Sequence, residues 1–270
     1  MKKTIKGMYG LSLAAIALVS FASPAAAVEG NKQTEGKASF VPQTGAIDTI
    51  KPGTNDKIEV DGGNTDPVIA GNVQLIRIPD FDFGNNETSV NTQSYAALNE
   101  KYKNKGGAEK FAIPHFVQVG DVSGVQGTKW NVTVEQDSLF KSGEHTLKAT
   151  RINIYNQTLT NNVHTANVAD VVSGLAIPSS SSVQIPVKGA DTTGAITVLT
   201  SKAGKTDETT TNGTISSVVF AGNYNAANFG ADGPDVNSKN EDVKLSVPQS
   251  DGVQAKNYST KLNWTLTVEP

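Results

Sequence analysis

Lys129-Trp130-Asn131-Val132-Thr133-Val134-Glu135 and, near the far end of the chain, Tyr258-Ser259-Thr260-Lys261-Leu262-Asn263-Trp264-Thr265-Leu266-Thr267-Val268 alternate apolar and polar residues. Successive side chains of a strand point to opposite faces. The first stretch therefore sets Trp130, Val132 and Val134 on one side, against Lys129, Asn131, Thr133 and Glu135. The second sets Tyr258, Thr260, Leu262, Trp264, Leu266 and Val268 against Ser259, Lys261, Asn263, Thr265 and Thr267. Each reads as a half-buried strand with a tryptophan in its apolar row.

Outward from these two, short segments of the same kind fill the chain from about residue 70. They are VQLIRI (73–78), HFVQV (115–119), LKATRINIY (147–155), VQIPV (183–187), AITVLT (195–200), TISSVVF (214–220) and VKLSV (243–247). All are rich in Val, Ile, Thr and aromatic residues and are bounded by Gly, Asn, Asp, Pro or Ser. One helix is predicted over 94–105, where Tyr95, Leu98 and Tyr102 fall at helical intervals before Gly106-Gly107; a second, shorter one is suggested over 165–174. The fold class expected is mainly β: a β-sandwich or barrel-like domain over 69–270 with one or two short helices. Residues 28–68, poor in large apolar side chains, read as a flexible spacer before it.

The first 27 residues have the form of an export leader. Lys2, Lys3 and Lys6 precede an apolar run over 11–22, and Ala25-Ala26-Ala27 supplies the small residues that precede cleavage, expected after Ala27. The run is too short for a good membrane span. The expected destination is outside the cell. Without its three leader lysines the chain holds 20 Lys plus Arg against 26 Asp plus Glu. An acidic protein of this kind argues against nucleic acid as partner, because phosphate backbones require clustered cations. It also argues against simple charge attraction to anionic wall polymers. The chain has no cysteine, so packing and hydrogen bonds alone must hold it.

Two blocks carry a family resemblance. The first is Phe116-Val117-Gln118-Val119, Gly127-Thr128-Lys129-Trp130-Asn131-Val132-Thr133-Val134 and Phe140-Lys141-Ser142-Gly143. The second is Val243-Lys244-Leu245-Ser246-Val247-Pro248, then Tyr258 through Thr267, then Pro270. With Asp82-Phe83-Gly84 upstream, they resemble the proximal and distal motifs of WxL-domain surface proteins of low-GC Gram-positive bacteria, over roughly residues 68–270. The proximal motif departs at Val132, where the family has Leu. The resemblance implies non-covalent attachment to the cell wall, with peptidoglycan or another wall polymer as partner. It further implies assembly with other WxL proteins and with sortase-anchored or membrane-anchored surface proteins. Candidate binding residues are those of the motifs, Trp130, Asn131, Val132, Trp264, Thr265 and Leu266. Sugar rings stack on Trp and Tyr, and their hydroxyls find partners in Asn131, Thr133, Asn263, Thr265 and Lys261. Equally, a tryptophan in the apolar row of an alternating strand belongs in a core, in which case the motif defines the fold and the ligand site lies elsewhere. An adhesin or complex subunit whose main partner is another protein is the alternative reading.

No catalytic constellation is evident. The histidines His115, His145 and His164 stand apart with no cysteine, no H-E-x-x-H and no G-x-S-x-G. Asp80 and Asp82 read as turn residues before Gly84. The run 231–242 offers oxygen ligands in Asp232, Asp235, Asn237 and Asp242, but not at EF-hand spacing. Neither enzyme activity, a metal nor a cofactor is expected. Val41-Pro42-Gln43-Thr44-Gly45 is similar to a sortase signal but lies far from the C-terminal end and has no apolar segment after it.

Overall fold

Alternation and β-branched content give the chain strands wherever one face can be covered. The structure, a computed structural model, describes residues 35–62, 68–202 and 209–269. The expected leader and its cleavage point Ala27 lie outside these. In chain order the strands begin with β1 (Ile58–Val60), β2 (Val68–Ala70), β3 (Val73–Arg77), β4 (Gln93–Leu98), β5 (Glu100–Asn104), β6 (Lys110–Ile113) and β7 (Phe116–Asp121). Next come β8 (Trp130–Gln136), β9 (Phe140–Ser142), β10 (His145–Leu147), β11 (Arg151–Ile154), β12 (Thr158–Asn161) and, after the four-residue helix α1 (Val168–Val171), β13 (Val172–Gly174). The last are β14 (Val183–Gln184), β15 (Ile196–Ser201), β16 (Thr214–Val219), β17 (Lys239–Val247) and β18 (Leu262–Val268).

Three larger sheets share one core. Their strand orders are β12-β16-β7-β3-β2, β14-β11-β17-β4 and β13-β15-β8-β18. Their inward rows meet: Val117, Val119 and Val218 from the first, Ile152, Ile154 and Val243 from the second, and Trp130, Val132, Val134 and Leu199 from the third. The three-stranded sheet β1-β5-β6 builds a second cluster, in which Tyr102 and Phe116 stack at 5.4 Å between ring centroids. The described residues from Phe40 onward form one contact unit. The mainly β expectation therefore holds, with each strand segment foreseen in the sequence contributing at least part of a strand.

Two local expectations are corrected, and one is borne out in shorter form. The predicted helix over 94–105 is the pair β4 and β5. The register against β17 shifts between Asn240 and Lys244, with the extra residues on β17, and the break between β4 and β5 after Leu98 leaves Tyr95, Leu98 and Tyr102 in two strands at spacings that imitate a helix. Buried Asn99 makes the bend between the strands, with its N–H donating to the Ser238 carbonyl and its Nδ2 to Ser238 Oγ. The shorter helix suggested over 165–174 is α1, a single turn before the chain enters β13. The stretch 28–68 is not all spacer. Gln118 Oε1 accepts from Ile50 N–H (2.9 Å) while its Nε2 donates to the Ile50 carbonyl (3.0 Å). Gln74 holds Ile47 N–H and the Gly45 carbonyl in the same way. Two buried glutamines thus do for residues 45–50 what a neighbouring strand would do, so a segment with little apolar content is still fixed to the fold.

Candidate functional site

Strands β8 and β18, the two motif strands, lie side by side and antiparallel. Trp130 pairs with Val268, Val132 with Leu266 and Val134 with Trp264. Directly paired residues point to the same face, so both tryptophans are on the inner side. Their depths differ. Trp130 is 1% exposed; its Nε1–H donates to Thr211 Oγ1 (3.2 Å), which donates to Oδ2 of buried Asp121 (2.7 Å). Val132 is fully buried and Leu266 nearly so. These residues belong to the core and present no surface to a ligand. Trp264, near the start of the edge strand β18, is only half-buried. On the outer face Thr197, Thr133 and Thr265 form one cross-strand row and Asn131 pairs with Thr267, giving a polar surface.

Trp264 belongs to the wall of a groove of about 1460 Å³. One side is the cross-strand row Tyr95, Leu245 and Ile152 of β4, β17 and β11; the other is Leu262, Asn263 and Trp264 of β18. Two loops complete it. Residues 78–91 supply Phe81, Phe83, Asn85 and Asn86, and residues 248–261 supply Gln254, Asn257 and Tyr258. Aromatic surfaces thus alternate with amide side chains, the combination that stacks on C–H faces and hydrogen-bonds hydroxyls. Tyr258 is fixed by its hydroxyl, which accepts from Gln254 N–H (3.1 Å) and meets His145 Nδ1 at 2.7 Å.

Each loop is tied down by a carboxylate. Glu100 forms a buried ion pair with Arg77, accepts the Tyr102 hydroxyl (2.8 Å) and accepts Asp80 N–H (2.9 Å), which fixes the start of the first loop. Burial pushes the Glu100 carboxyl and the Tyr102 hydroxyl up from their usual ranges, with the Arg77 charge opposing it in both. Beyond it, Asp82 Oδ1 accepts Gly84 N–H (2.8 Å), closing a turn in which Gly84 has φ +69°, and the Asp82 carbonyl accepts Leu98 N–H from β4 (2.7 Å). The Asp-Phe-Gly segment is therefore the lip of the groove. The second loop is held by Asp251, which accepts Ala149 N–H (2.8 Å) and the Thr150 hydroxyl (2.6 Å). Asp251→Ala leaves both donors without an acceptor, at a cost of about 1–3 kcal/mol. The expected result is a folded protein whose amides over 252–261 exchange hydrogen faster than in the wild type; unchanged exchange there counts against this role.

Beneath the lip, Phe81 packs on the ring of fully buried His115, with centroids 4.8 Å apart. Asn240 Nδ2 donates to His115 Nδ1 (3.0 Å) and to the Phe220 carbonyl. Burial, then the nearby Arg77 charge, pushes His115 down from 6.5 to about 3. The unfolded chain takes up this proton below about pH 6.5, whereas the folded protein refuses it until about pH 3. The stability due to neutral His115 is thus complete above the unfolded value and falls as pH drops through that window. Urea midpoints between pH 7 and pH 4.5 should decline less in His115→Gln than in the wild type, and equal slopes would contradict the assignment.

Of the six motif positions singled out in the sequence, only Trp264 lines the groove. Trp130, Val132 and Leu266 build the core behind it, and Asn131 and Thr265 lie on the opposite face. The residues missed, Phe81, Tyr95 and Asn257 among them, are brought together by loops whose convergence has no signature in spacing. A family model described as "WxL domain surface cell wall-binding" matches residues 27–270. No curated protein and no solved structure matches the chain.

Proposed function

The chain belongs to the WxL domain surface cell wall-binding family, and from that premise we propose that it is exported and held non-covalently on peptidoglycan through the groove walled by Trp264. The observation that carries this is the composition of the groove: aromatic side chains from β4, β18 and both loops, set among asparagine and glutamine side chains. An acidic protein has little to gain from charge on an anionic wall, so stacking and hydrogen bonding to a saccharide polymer are the forces left. The core role of Trp130 fits the same picture, since it holds β8 as the support on which β18 presents Trp264.

The reading is of a binding protein, not an enzyme. Of the acids of the two groove loops, Asp82 and Asp251 accept backbone N–H groups that shape those loops. Purified protein mixed with isolated wall sacculi should sediment with them, be released intact by denaturant, and liberate no soluble wall fragments. Failure to sediment, or fragments appearing in the supernatant, would each contradict it.

A further inference from the structure

The chain from Ser138 through β10 holds the second groove loop at three consecutive residues. Ser259 exchanges both backbone bonds with Lys141 (3.0 and 3.1 Å), and Thr260 Oγ1 donates to the Ser138 carbonyl (2.5 Å). The third tie joins two side chains. The Tyr258 hydroxyl lies 2.7 Å from His145 Nδ1, and the rings meet edge to face with centroids 5.6 Å apart. The same hydroxyl accepts from Gln254 N–H (3.1 Å). Tyr258 lines the groove, as do Phe140 and Leu147 of the hairpin that carries His145. A counting of protons gives the bond its direction. A tyrosine hydroxyl has one proton to give, and a neutral imidazole has one donor and one acceptor nitrogen. The arrangement that gives each donor its own acceptor is a chain: Gln254 N–H to the Tyr258 oxygen, and Tyr258 O–H to His145 Nδ1. His145 is then neutral, with its proton on Nε2.

We propose that His145 is a positioning residue of the groove: as a neutral acceptor it holds Tyr258 in the groove wall, and its protonation releases that wall, so that attachment weakens in acid. The assignment rests on reading the groove as the wall site. An imidazolium carries N–H on both nitrogens and has no acceptor left. Two N–H donors would then converge on the one hydroxyl oxygen, and the hydroxyl proton would lose its acceptor in a part-buried place. Histidine is the side chain whose ordinary range puts this change of charge between about pH 5 and 8. The titratable and charged groups on the elements packed around His145 are Tyr258 and Lys256 in the loop, Lys141 on β9, Glu144 in the hairpin turn and Lys148 after β10. Among the described residues Tyr258 is the one of these bonded to the imidazole. His115, in the core beneath the other loop, stays neutral until about pH 3 and plays no part in this step.

The test sets the wild type beside His145→Asn, whose side-chain carbonyl can accept the Tyr258 proton and does not titrate. With isolated sacculi, the wild type should need about fivefold more wall material for half-saturation at about pH 5 than at about pH 7.5, the worth of one neutral hydrogen bond. His145→Asn should match the wild type at the higher pH and lack the step, which removes titration of the wall itself as the cause. In the free protein, NMR should show the Tyr258 ring and the Gln254 N–H shifting with the midpoint of His145, and staying still in the variant. Equal wild-type binding at both pH values, or a step of the same size in His145→Asn, would overturn the assignment. So would a His145 titration that leaves Tyr258 and Gln254 unmoved. That titration needs no wall, so it separates failure of the His145–Tyr258 coupling from failure of the wall-binding reading; absence of sedimentation at either pH would overturn both.

Discussion

Trp130→Ala is expected to lower stability by about 3–5 kcal/mol, enough to unfold a protein of ordinary stability in part or in full. The side chain is 1% exposed and packs in the core where all three larger sheets meet. Its removal leaves a void among β-branched neighbours that cannot collapse into it without moving strands. It also takes the indole N–H from Thr211, the hydroxyl that reaches buried Asp121. Trp130→Phe, which keeps most of the volume, should cost much less. Urea unfolding followed by circular dichroism measures both. The chain has two tryptophans, so in either variant the fluorescence comes from Trp264 alone and reports the groove. A Trp130→Ala variant as stable as the wild type would mean that the proximal motif is not a core element.

Glu100→Ala should be comparably severe, at about 3–5 kcal/mol. The Glu100 and Arg77 side chains are 8% and 2% exposed. Removing the carboxylate leaves the Arg77 charge buried without it, takes the acceptor from the Tyr102 hydroxyl, and frees the Asp80 N–H at the groove lip. Glu100→Gln keeps an acceptor of the same shape and should lie between the two. Thermal unfolding gives the order wild type, Gln, Ala. The second readout is hydrogen exchange over 80–88, which should rise in both variants because Glu100 anchors that loop. An alanine variant with wild-type melting would show that the pair contributes nothing net to the fold.

The strands that carry alternation were legible because one face of each is covered and the other is not. Trp130, Val132 and Val134 were placed inward by period two alone, and they are inward. What alternation cannot give is depth. Trp264 occupies the same kind of position as Trp130, yet one is core and the other lines the groove, because β8 is flanked on both sides and β18 is an edge. The β4–β5 segment was misread since the bend at Asn99 splits it into two short strands whose aromatic and leucine positions happen to fall at helical spacings. Residues 45–50 were misread for a different reason. Their attachment is through the side chains of Gln74 and Gln118, more than twenty residues away, and leaves no local apolar pattern. The groove was the least legible part. Its lip at Asp82-Phe83-Gly84 and its far wall at Tyr258 were visible as fragments, while the loops that bring them together are set by Glu100 and Asp251.

Sedimentation of Trp264→Ala with isolated sacculi, across a range of wall concentrations and beside the wild type, addresses the groove most directly. The substitution lies at a half-buried edge position, so the variant should keep its circular dichroism spectrum. The result expected is a folded protein needing about tenfold or more wall material for half-saturation, the loss of one aromatic stacking partner being worth about 1–3 kcal/mol by analogy with bases on aromatic side chains. A folded Trp264→Ala protein that saturates at the wild-type wall concentration would place the binding surface somewhere else.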